Sequence, residues 1–159
     1  MKIAVGSDHA GYGRKKELIQ LLSQLGHRVM DVGCYSEERC DYPDYAKKVA
    51  RAVSLERADR GILICGTGIG MAMTANKFSN VRAAVCWNAK TARLASEHTQ
   101  ANILCISGWM LPASTAVRIV KTWLATPFSG GRHLRRIKKI EQIEKVAALQ
   151  GMRICKQQK

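Results

Sequence analysis

RGILICGTGIGM (residues 60–71) reads as a strand that runs straight into a glycine loop and then a helix. The strand, residues 60–66, is continuously apolar after Arg60, as expected of one covered on both faces of a sheet. Glycines follow at alternate positions, 66, 68 and 70, and a helix is expected to run on to about Phe78. A glycine loop between strand and helix presents backbone N–H groups to an anion. It is no P-loop, because the Gly-Lys-Ser/Thr ending is absent. It is no GxGxxG fingerprint either, since the third glycine comes one residue early and no acidic residue ends the next strand. The thiol of Cys65 stands at the mouth of this loop. A cysteine there has the chemistry of a base or a nucleophile, since the thiolate is the reactive form. It can equally be the last buried residue of the strand, and the local pattern leaves both readings open.

Outward from this unit, strands and helices alternate. Strands are expected at 2–8, 27–33, 60–66, 82–87 and 102–108. The helices between them fall at about 12–25, with Leu18, Ile19, Leu22 and Leu25 on one face, then 42–56 and 89–98. Pro112 opens a further helix that ends near Thr126. Such alternation predicts an α/β chain, a three-layer Rossmann-like fold with a five-stranded parallel sheet and an extra C-terminal helix. Ligands of these sheets bind at the carboxyl ends of strands. Those ends carry Ser7-Asp8-His9, Cys65 with its glycines, Trp87-Asn88 and Ser107-Gly108-Trp109.

After PFSGG (127–131), residues 132–150 read as one long helix with Ile137, Ile140, Ile143 and Ala147 on a stripe. No strand follows for that stripe to cover, so packing against a neighbouring subunit is expected. The chain is read as one domain, 1–150, whose residues 130–150 form a helical arm, followed by a loose tail at 151–159.

The 159 residues are 47% apolar and 24% charged, which suits one folded domain and argues against disorder. No apolar run approaches the roughly 20 residues of a membrane span, and the N-terminus lacks a signal-peptide pattern, so a cytoplasmic location and no membrane partner are expected. The six cysteines form no CxxC pair and no zinc spacing. Cys65 apart, they read as small buried hydrophobes in a reducing compartment. Of the net charge of +14, half comes from residues 132–159, with nine basic and two acidic side chains. That segment has no aromatic residue for base stacking. A solvated helix face with a few arginines turned to a small anion is therefore expected, with no nucleic acid as partner.

Six pieces of the chain occur in a telling order: GSDHAG (6–11), DYPDYA (41–46), ICGTGIGM (64–71) followed by ANKF, RAAVC (82–86), His98 with Asn102, and GGRHLRR (130–136). Together they resemble the type B ribose-5-phosphate isomerases and their galactose-6-phosphate isomerase relatives, from residue 2 to about 145. The resemblance implies an aldose–ketose isomerase without metal or cofactor, acting through a cis-enediolate. It implies Cys65 as the base, assisted by the Thr67 hydroxyl, with amides from Gly66 through Gly68 to Gly70 as the anion hole. His98 is implied in opening the furanose ring, and Asp8 and Tyr42 in lining the sugar. His9, Arg132 and Arg136 match the phosphate-binding group, and Arg132 and Arg136 are spaced to face one phosphate from one helix face. The rival arrangement with a glutamate base is not available, because that position is Ala75. The family's site lies at a dimer interface, which implies a homodimer or homotetramer.

Two departures bear on the substrate. Thr99 stands where the family usually has asparagine after the histidine, and Trp109 stands where it commonly has arginine. Thr99 and Asn102 are retained as substrate-side candidates. Ribose 5-phosphate is the expected substrate, with erythrose 4-, allose 6- or galactose 6-phosphate as alternatives. A non-catalytic sugar-phosphate or nucleic-acid binding module is the rival class.

Overall fold

The computed structural model describes residues 1–157, with side chains through residue 149. Five strands, β1 (Lys2–Ser7), β2 (Arg28–Asp31), β3 (Arg60–Cys65), β4 (Ala83–Val85) and β5 (Ile103–Ser107), pair in parallel in the order β2-β1-β3-β5-β4. The helices are α1 (Tyr12–Gln24), α2 (Tyr42–Ser54), α3 (Ile69–Ala75), α4 (Ala89–Thr99), α5 (Ala113–Ala125) and α6 (Arg132–Gln157). The strand order leaves β1 in opposite directions, toward β2 and toward β3. Ligand crevices form at such a switch point, at the carboxyl ends of the strands.

Alternation along β3 builds both cores. Ile62 and Ile64 point to one face, with Leu18 and Leu22 of α1, Ala92 and Ala95 of α4, and Ile119 and Trp123 of α5. Leu63 and Cys65 point to the other, with Val49 and Val53 of α2 and Met71 and Ala75 of α3. The three expected layers and the five-stranded parallel sheet are present. Trp123 is fully buried; its Nε1 donates to Ala101 O at 3.1 Å, and the Arg60 guanidinium lies 4.7 Å from its ring centroid.

Element ends differ from the sequence reading for identifiable reasons. α3 stops at Ala75 instead of reaching Phe78 because the Asn76 side chain pairs with the backbone of Ala83, accepting at 2.8 Å and donating at 2.9 Å. β2 ends at Asp31, whose carboxylate turns back to Lys15 Nζ at 2.6 and 2.8 Å and accepts from Gly33 N at 3.0 Å. Lys15 is buried in α1 with its ammonium also over the Tyr35 ring. It sits on the same face as Leu18 and Leu22. The reading of 151–159 as a loose tail is corrected for its first seven residues: α6 runs on to Gln157. Gly151 alone costs a helix only about 1 kcal/mol, too little to end it. The remaining two residues of that stretch lie outside the described residues.

Only the start of the α6 stripe is covered. Ile137 is buried, whereas Ile140, Ile143, Val146 and Leu149 are exposed. α6 is tied to the rest of the chain through Glu144, which accepts from Asn80 N at 2.7 Å, and through His133.

Candidate active site

Cys65 closes β3 at the switch point. Asp8 follows the end of β1 beside it, and its N–H donates to Ile64 O at 3.2 Å. Gly68 has φ +83°, a conformation that glycine adopts without strain. That turn points its N–H at the Cys65 sulfur, 3.1 Å away. The Thr67 hydroxyl accepts from Ile69 N at 3.3 Å and faces solvent, leaving its own proton to donate outward. The loop therefore has a sulfur at its base, amides along it and a hydroxyl on its rim.

Aromatic rings lie on the outer glycines. A Cβ on Gly66 would fall 2.6 Å from the Trp109 ring, and one on Gly70 would fall 2.6 Å from the Tyr42 ring. Asp8 is nearly buried and caps a short turn, its Oδ1 accepting from Gly11 N at 3.0 Å. Burial pushes its carboxyl above the ordinary carboxylate range, against the opposing pull of the Gly11 N–H and of His9. His9 is held nearby, Nδ1 lying 3.3 Å from both N and O of Cys40. Asp8, His9, Tyr42, Cys65, Gly66, Thr67, Gly68 and Gly70 thus share one end of the sheet.

The other expected residues are at the opposite end. His98 lies in the last turn of α4, just ahead of β5. The register pairs Gly61 with Ile103 and Cys65 with Ser107. Five residues of β5, about 16 Å of extended backbone, therefore separate the His98 end from the Cys65 end. Within one chain the structure does not bring His98, Thr99, Asn102, Arg132 or Arg136 to Cys65, nor His9 to the two arginines. The far group is coherent in itself. The His98 and His133 rings stack with centroids 4.1 Å apart and planes 12° apart. Arg132 Nε approaches His133 Nε2 at 3.4 Å, and Glu97 Oε1 lies 3.9 Å from His98 Nε2. Burial depresses the His133 pKa, with His98, Arg132 and Arg136 adding to the effect and Glu97 opposing it.

Two candidates are committed elsewhere. The Asn102 amide accepts from Arg82 N at 2.8 Å and donates to Asn80 O at 2.6 Å, which ties the approach to β4 to the start of β5. The Thr99 hydroxyl donates to Ala95 O of its own helix at 2.6 Å. His133, not among the expected site residues, belongs to the far group through its stack on His98; its place beside Arg132 in GGRHLRR was the available signal. A cavity of about 670 Å3 lies between α6 and the segment from Asn76 to Ala84, and Thr99 is the only one of the expected residues in its lining. Burial raises the Cys86 thiol to about 11 and Cys105 well above its ordinary value, so both fit the reading of cysteines as inert core. Among the described residues, no cluster of three His, Cys, Asp or Glu is placed to hold a metal ion, and no helix is long and apolar enough to cross a membrane.

The sequence model of the Ribose/Galactose Isomerase family matches residues 3–140. The chain belongs to that family. Within the ribose/galactose isomerases it is similar to ribose-5-phosphate isomerase B of Escherichia coli, 43% identical over 143 residues, which are 90% of this chain and 96% of that protein. Among solved structures it is similar to ribose-5-phosphate isomerase B of Clostridium thermocellum, at 48% identity and TM-score 0.91, covering 92% of this chain and 99% of that one. A further similar structure is the ribose-5-phosphate isomerase B of Mycoplasma genitalium with bound ribulose-5-phosphate. It shows 44% identity and TM-score 0.88, over 91% and 96% of the two chains. The family match and these structures agree with the five-stranded parallel sheet described above.

Proposed function

We propose that this chain interconverts a phosphorylated aldose and its ketose, ribose 5-phosphate and ribulose 5-phosphate by preference, with Cys65 as the base. The observation that carries the reading is the Cys65 sulfur at the switch point, 3.1 Å from the Gly68 N–H at the head of a loop of amides. In the reaction the Cys65 thiolate removes the proton from C2 of the open-chain aldose, leaving a cis-enediolate. The same thiol returns a proton to C1, while the hydroxyl proton passes from O2 to O1 with help from Thr67. Loop amides from Gly66 to Gly70 face the transient negative charge; donors set in place before the charge forms are among the largest contributions to such catalysis. Asp8 and Tyr42 line the sugar.

The remaining functions need groups from the far end of the sheet. In this reading a second copy of the chain brings His98 to the furanose ring, where it transfers the proton that opens it. The second copy's Arg132 and Arg136, with His9 of the first copy, hold the phosphate. Support comes from three features: the separation of the two groups within one chain, the uncovered α6 stripe, and the integrity of each half-site. Asn102 and Thr99 then serve the far half by holding backbone in place, and no substrate contact is needed from them. The E. coli, C. thermocellum and M. genitalium relatives, named as ribose-5-phosphate isomerases B, support ribose 5-phosphate as substrate.

The test is a panel of four- to six-carbon aldose phosphates assayed for ketose formation with wild-type protein and Cys65→Ala. Turnover of ribose 5-phosphate that vanishes in Cys65→Ala is expected. Full turnover in Cys65→Ala refutes the base, and no turnover of any sugar by the wild type refutes the isomerase reading.

A further inference from the structure

We propose that Trp109 is a specificity-determining residue that limits the length of the sugar phosphate accepted beside Cys65; this rests on the isomerase reading above. The backbone that carries the indole is fixed by the same atoms that build the glycine loop. Gly108 N donates to Cys65 O at 2.8 Å. The Ser107 hydroxyl donates to Gly66 O at 2.5 Å and accepts from Trp109 N at 3.2 Å and Met110 N at 2.8 Å. The turn after β5 is therefore tied to Cys65 and Gly66, and the backbone of Trp109 moves only if the loop does.

From that turn the indole lies on Gly66. Three atoms of its six-membered ring stand 2.6, 2.7 and 3.0 Å from where a Cβ would be. A large side chain at this place would ordinarily be covered, yet Trp109 is 71% exposed, in contrast to Trp123 at 0%. The ring is an apolar wall standing open at the rim of the crevice, one residue along from the base. On the far side of the loop, Tyr42 stands on Gly70 in the same manner. Thr67, exposed, falls in the chain between the two glycines that carry these rings.

A wall of this kind selects by size. Tryptophan carries no charge with which to hold a phosphate, and its flat ring has only two side-chain torsions through which to give way. A sugar one carbon longer must either displace the ring or draw its C1–C2 end away from the sulfur. Apolar pockets discriminate a single carbon unit by about 10- to 200-fold, and that range is expected here.

The experiment measures kcat/KM for ribose 5-phosphate and for allose 6-phosphate with full-length wild type, Trp109→Ala and Trp109→Phe, each checked for an unchanged circular dichroism spectrum. Trp109→Ala should raise the six-to-five-carbon ratio by about tenfold or more, while Trp109→Phe, which keeps a flat wall, should stay within about threefold of wild type. As a binding readout independent of turnover, ribose 5-phosphate should quench the fluorescence of Cys65→Ala and not that of Cys65→Ala/Trp109→Phe. An unchanged ratio in Trp109→Ala, with turnover still dependent on Cys65, overturns the role of Trp109 and leaves the isomerase standing. Absence of turnover of every aldose phosphate in the wild type overturns both.

Discussion

Two inactive variants should restore one another when mixed. Cys65→Ala removes the group at the carboxyl end of β3, and His98→Ala removes the ring at the opposite end of the sheet. The register of β3 with β5 holds these ends about 16 Å apart. If each site takes Cys65 from one chain and His98 from another, a mixed pair contains one site with both lesions and one with neither. Random reassortment of equal amounts into two-fold pairs makes half of them mixed, so about a quarter of wild-type activity returns. The assay is ketose formation after the two proteins are unfolded together and refolded, against each variant treated alone. Recovery near a quarter supports a site shared between chains. No recovery above the separate variants, with refolding confirmed by a wild-type control, refutes the division of the site.

Other consequences are local. Gly68→Ala places a Cβ 3.1 Å from the Ile106 backbone at a φ of +83°, and should cost about 1–2 kcal/mol in urea denaturation together with turnover, because relief of that strain turns the residue-68 N–H away from the Cys65 sulfur. Asp8→Asn keeps an oxygen for the Gly11 N–H and removes a buried charge. The native carboxyl is pushed upward, so its charge opposes folding above the raised pKa and that cost fades as pH falls through it. Asp8→Asn should therefore be at least as stable as wild type at pH 7, lose that advantage toward acid, and lose activity; a large destabilisation at pH 7 would refute the burial argument. For His133 the native pKa lies below the unfolded value of about 6.5. Its stabilising share is present above that value and declines as pH falls through it. Urea midpoints between pH 8 and 5 should fall more for wild type than for His133→Phe, and parallel profiles would contradict the assignment.

Much of this architecture was legible because hydrophobic pattern and chain order carry it. The continuous apolar run of Gly61–Cys65 announced a strand buried on both sides, and the alternation of elements announced a parallel sheet. What escaped were decisions made by single polar side chains. Asn76 ends α3 by pairing with a strand across the turn, and Asp31 ends β2 by turning to Lys15. Lys15 itself was readable, since it falls on the face of Leu18 and Leu22, but a lysine on that face ordinarily signals solvent. The site was legible in its parts and not in its assembly. Asp8 and Cys65 follow strands, so the rule for parallel sheets puts them together. His98 precedes a strand, which puts it at the other end, and this too follows from the order of elements. Asn102 was a candidate because it accompanies His98 in the family pattern; its two backbone bonds to the β4 approach are long-range and leave no local trace.

The most direct test is solvent exchange at the transferred carbon. Ribose 5-phosphate incubated with the protein in deuterium oxide should acquire deuterium at C1 of the ketose, because the proton rests on Cys65 between removal and return. In Cys65→Ser, with the loop retained, exchange and turnover should fall together by about 10²-fold or more. Exchange at the wild-type rate in Cys65→Ser would contradict the account, since another group would then be moving the proton.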